Sequence, residues 1–94
     1  MKKFKDADNT AVFTTKFVVV DKKEITKVTH EKEDGAWQFF SADIFEDFEK
    51  VAVVAGLGQI INLDSSLLEI ADLPLGYSAS RNFKGATWTI EEIK

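Results

Sequence analysis

The sequence predicts one small α+β domain, an antiparallel sheet built from an N-terminal three-strand meander plus later strands, carrying two short helices. Three observations predict it. Runs rich in β-branched and aromatic residues fill the N-terminal part, separated by turn signals. Residues 57–73 then change to helical spacing, with an interruption at "NLDSS". Past Pro74, the one proline of the chain, alternation returns.

The first run, "TAVFTTKFVVVD", has a strand composition, and period-two spacing places Ala11, Phe13, Phe17 and Val19 on one face. "KEITKVTHE" alternates, so Thr26, Val28 and His30 point together; in "AWQFFS", Trp37 and Phe39 do the same. Lys22-Lys23 is a plausible first turn. Asp34-Gly35 suits the second, because a tight hairpin needs positive φ. Residues 1–9 are polar and are expected to form a loosely ordered N-terminus to a single domain spanning 1–94.

"SADIFEDFEK" breaks the strand pattern. Ile44, Phe45 and Phe48 have helical spacing and Asp43 with Glu46 can form a capping box, so one helical turn or an acidic loop fits equally. "VAVVA" reads as a short buried strand. In the helical region Asp64 can cap a helix start, and Ser66 with Glu69 matches a second capping box. Two short helices are expected, breaking near Asn62 to Asp64. Pro74 lacks an N–H and drives Leu73 away from helical angles, so the second helix ends before it. Gly76 lets the chain turn, "YSASR" alternates as a strand, and "ATWTIEE" can add a last one.

Composition narrows the function classes. The 94 residues include eight Phe and two Trp, enough for one modest core, and no Cys, which removes disulfide and thiolate chemistry. The opening "MKKFKDADNT" turns polar at once without an apolar stretch, so export by a signal peptide is not expected and a cytoplasmic setting fits. Net charge is −4 with a single Arg, a poor match for phosphate backbones, so no nucleic-acid partner is expected. No apolar run is long enough for a membrane span.

The candidate sites are few. "VVAGLGQI" holds a G-x-G after a strand, but the third glycine of the dinucleotide fingerprint would fall on Ile61, so Gly56 reads as a turn residue. His30, the one histidine, lacks metal-ligand spacing to any partner, and no cofactor or metal is expected. "DIFEDFEK" crowds four carboxylates around two aromatic residues, the look of a solvated acidic loop or of an interface anchor ringed by charge. Phe45, Asp47, Phe48 and Arg81 are therefore the candidate binding residues. Arg81 is expected at the surface or rim, over the core or paired with a carboxylate such as Asp72. Trp37, Tyr77 and Trp88 read as packing residues.

"DGAWQFFSAD", then an acidic segment, then "GQIINLDSSLLEIADLPLGYSASR" resembles the immunity protein thirty-three family of small bacterial proteins from polymorphic toxin systems. The likeness covers residues 10 to 90. It rests on W-x-F-F-S at Trp37 to Ser41, on D-x-S-L at Asp64 to Leu67, and on P-x-G with a following arginine at Pro74, Gly76 and Arg81. The family pattern has Gly after that Ser, whereas this chain has Ala42. The resemblance implies an α+β domain and, for some members, neutralisation of a toxin by binding it; it brings no catalytic residues. The leading expectation is thus a non-enzymatic protein-binding domain with a protein partner such as a toxin. The alternative is a small enzyme, or an enzyme accessory, using His30, Arg81 and a carboxylate.

Overall fold

A computed structural model describes residues 2–93. They form six strands in one mixed sheet: β1 (Ala11–Thr15), β2 (Lys27–His30), β3 (Trp37–Phe40), β4 (Ala52–Gly56), β5 (Tyr77–Ser80) and β6 (Thr89–Glu92), in spatial order β4-β1-β3-β2-β5-β6. Three short α-helices, α1 (Lys16–Val19), α2 (Phe48–Val51) and α3 (Leu57–Leu63), and a 3-10 helix, Ser65–Ile70, complete the described elements. No described helix is long and apolar enough to cross a membrane.

The α+β class holds, but the wholly antiparallel sheet and its three-strand meander are corrected. β2 and β3 do form the expected hairpin, with Gly35 at φ 72° in its turn. β1 does not pair with β2; it runs parallel to β3, with Phe13 opposite Gln38. The reason lies in "KFVVV". Its strand-like composition continues past Thr15, yet the chain turns there into α1 and crosses the end of β3, with Lys22 at φ 59° on the way. That crossing sinks Val18 and Ile25 into the core at 2% exposure each. Burial of two branched side chains, each contributing about 1.5–3 kcal/mol, outweighs a local strand preference of about 1 kcal/mol.

The expected four-residue face is cut short, because the strand ends at Thr15 and Phe17 and Val19 fall in α1. Within β1, Val12 and Thr14, on the face opposite Ala11 and Phe13, point to the core and are fully buried. They share that inner face with Val28, Phe39 and Ala79, which pair across β2, β3 and β5. α3 and the 3-10 helix cover it with Leu57, Ile60, Leu67 and Ile70. "VAVVA" gives an edge strand instead of a buried one, with Val54 63% exposed.

The helical region breaks as the spacing predicts. Asp64 closes α3 and its carboxylate accepts the Ser66 N–H, starting the 3-10 helix. The Ser66–Glu69 capping box is absent from this start; Glu69 instead accepts the Trp88 indole N–H at 3.2 Å. The corner at residues 74–76 also follows expectation: the 3-10 helix stops before Pro74, Gly76 sits at φ 81°, and β5 begins at Tyr77. The stretch before β1 packs against the sheet. Phe4 meets Trp37 edge-on at 4.9 Å and the Asp8 carbonyl accepts the Gly58 N–H; Met1 lies outside the described residues.

Candidate functional site

Two regions gather the residues that could do something, and they lie on different sides of the sheet. The first is on the open face. Phe40 projects there because it lies two residues from Gln38, which opposes Phe13. The chain from β3 to β4 returns past this face and lays Phe45 and Phe48 on Phe40, with ring centroids 6.1 and 5.6 Å away and 6.0 Å between the two. All three rings are half-buried. Ile44, next in sequence to Phe45, is 95% exposed.

Local hydrogen bonds hold this segment in shape. The Ser41 hydroxyl donates to the Asp43 carboxylate at 2.7 Å, and the Asp47 carboxylate accepts the Glu49 N–H at 3.1 Å. Asp47, not Asp43, therefore caps the one helical turn of α2, and residues 41–47 are irregular. The sequence's two readings of this segment are both partly right: an acidic loop, then a turn of helix. Glu46, Asp47 and Glu49 remain exposed around the aromatic trio. Phe13, 37% exposed, and its cross-strand neighbour Val54 extend the apolar surface over β1 and β4. Ile44, Phe40, Phe13 and Val54 are additions that sequence reasoning missed.

The second region is Arg81. It is not at the rim: the residue is 7% exposed and its guanidinium is fully enclosed. Nε and Nη2 donate to the Ile25 carbonyl at 3.1 and 2.9 Å, Nη1 donates to the Ser66 hydroxyl at 2.8 Å, and Nη2 pairs with Asp64 at 2.6 Å. The plane covers the Trp88 ring at 4.1 Å. Asp72, the partner considered from sequence, pairs instead with Lys2 at 3.1 Å on the surface. Burial works to raise the Asp64 carboxyl's pKa, but hydrogen bonds from the Ser66 side chain and backbone, then Arg81, outweigh it and hold the pKa below the usual value.

His30 and Arg81 are not brought together. His30 faces Tyr77 at one end of the β2–β5 ladder, and the Arg81 N–H bonds the Thr26 carbonyl just past the other end. The His30 ring stacks on Trp37 at 3.8 Å and its Nδ1 lies 2.8 Å from the Leu73 carbonyl. Among the described residues no three His or acidic side chains converge as a metal would need. Phe45, Asp47 and Phe48 do lie together, away from Arg81, whose donors are taken up inside the protein.

No protein-family model matches the chain, and neither a curated protein nor a solved structure matches it.

Proposed function

We propose that the chain is a non-enzymatic protein-binding domain that docks a basic protein through the aromatic and acidic corner at residues 44–49. The observation that carries the reading is Ile44. A large aliphatic side chain left 95% in water, next in sequence to the Phe45 ring of the aromatic trio and within an acidic segment, is the composition of an interface anchor. A solvated loop has no use for it. The acidic surroundings would steer a cationic partner and speed its association. A toxin neutralised in the manner of the immunity proteins the sequence resembles is the partner we favour, in a bacterial cytoplasm. In this reading Arg81, whose donors are taken up by Ile25, Ser66 and Asp64, supports the fold and not the contact.

The test is a titration of the purified protein with a basic toxin domain, sought first among the products of genes adjoining its own. Ile44→Ser and Phe45→Ser are expected to weaken binding at least about tenfold, or ~1.4 kcal/mol, and Ile44→Ser to leave the melting temperature unchanged. Raising the salt should slow association. Undiminished binding by both variants would remove this corner from the interface.

A further inference from the structure

A cleft of about 410 Å³ opens at the end of the sheet where β1 starts, between the N-terminal segment and the Pro74 corner. Lys5, Asp6, His30, Trp37, Leu73 and Leu75 are among its walls. It lies on the covered side of the sheet, far from the aromatic corner.

Its polar atoms have fixed roles. A carbonyl only accepts, so the His30 Nδ1 that lies 2.8 Å from the Leu73 oxygen carries the hydrogen. In the neutral ring Nε2 is then a bare acceptor, and it has no hydrogen-bond partner among the described residues. Stacking on Trp37, at an interplanar angle of 12°, holds the ring in place. The same indole fixes Asp6, whose Oδ2 accepts the Nε1–H at 2.8 Å while Oδ1 is left over. One indole thus carries an acceptor on its face and a carboxylate at its edge. Leu73, Pro74 and the half-exposed Leu75 supply an apolar wall.

We propose that this cleft binds an organic cation, a primary ammonium or guanidinium group on an aliphatic stem. The head donates hydrogen bonds to Asp6 Oδ1 and His30 Nε2, and the stem lies on Leu73 and Leu75. An anionic ligand would meet the Asp6 carboxylate, and a bare metal ion finds no third ligand among the described residues. Lys5 shares the cleft and pairs with no carboxylate among the described residues, so its charge competes with the ligand's.

The experiment follows the Trp37 indole N–H by NMR while butylguanidinium is added, with uncharged butylurea as its isostere. A saturable shift with the guanidinium alone is expected. Asp6→Asn, which keeps an oxygen for the indole, should weaken binding about tenfold, and Lys5→Gln should tighten it. Should Asp6→Asn fail to fold, the Lys5→Gln arm decides. A tripeptide with a central arginine separates two sources: tighter binding than butylguanidinium assigns the cation to a protein side chain, weaker binding to a free small molecule. Equal response to butylurea, or unchanged affinity in both variants, overturns the proposal.

Discussion

Arg81 Nη2 lies 2.6 Å from Asp64 Oδ2, with the two side chains only 0% and 5% exposed. The pair joins the end of β5 to the break between α3 and the 3-10 helix, and through the Ile25 carbonyl to the segment entering β2. Removing one member strands the other's charge in a place water does not reach. Arg81→Ala should therefore cost about 3–5 kcal/mol in urea unfolding, not the small amount expected of a rim residue. Arg81→Met combined with Asp64→Leu should cost less than Arg81→Ala alone, since no charge is then orphaned. A mild loss in Arg81→Ala would show that the enclosed pair contributes little.

The same pair sets a pH dependence. Asp64 has a lowered pKa in the folded protein, because the Ser66 and Arg81 interactions outweigh the opposing effect of burial. The unfolded state therefore binds its proton first as pH falls. Its contribution is complete above the ordinary carboxylate value of about 3.9 and disappears as pH drops through the lower folded value. The stability gap between wild type and Asp64→Asn should be flat from about pH 8 to 5 and shrink below about pH 4. A gap that stays constant into acid would contradict this assignment.

How much of this was legible in the sequence differs by element. The 62–64 break, the β2–β3 hairpin and the Pro74 corner were readable, because each is fixed by residues that act on their own backbone. The β1 topology was not. "TAVFTTKFVVV" suits a strand throughout, and only the burial of Val18 and Ile25 shows why the chain leaves the sheet at Thr15. The face of β1 was equally hidden, because alternation gives two faces without saying which is inner. At the site, Phe45, Asp47 and Phe48 could be found as aromatic residues among carboxylates. The Arg81–Asp64 pair could not, since 17 positions separate them and Asp64 looks complete as a helix cap.

Gly76 tests the corner directly. At φ 81° it occupies a region where a Cβ is strained, while the space itself is open, with the nearest atom, Lys32 Cβ, at an ordinary 3.5 Å. The penalty for a side chain is thus backbone strain and not a clash. Gly76→Ala should cost about 1–2 kcal/mol, Gly76→Val more, and Gly76→Asn least. Thermal melts of the three variants give the order; equal losses would point to crowding instead.

Trp37 is the residue on which the core and the cleft both depend. It is 3% exposed, stacked by His30 on its face, met edge-on by Phe4 and bonded at Nε1 to Asp6. Trp37→Ala removes all of these and should destabilise the protein by about 3–5 kcal/mol, the usual cost of deleting a large buried ring. Trp37→Phe keeps an aromatic surface for His30 and Phe4 but leaves Asp6 without its donor. Asp6 is exposed, so water can replace that bond, and the remaining loss comes from the smaller volume. Trp37→Phe should accordingly fall well short of Trp37→Ala in urea unfolding. If the two cost the same, the hydrogen bond to Asp6, and not packing, is what holds the N-terminal segment on the sheet. Asp6→Ala would then destabilise as much as Trp37→Phe, and that third measurement separates the two accounts.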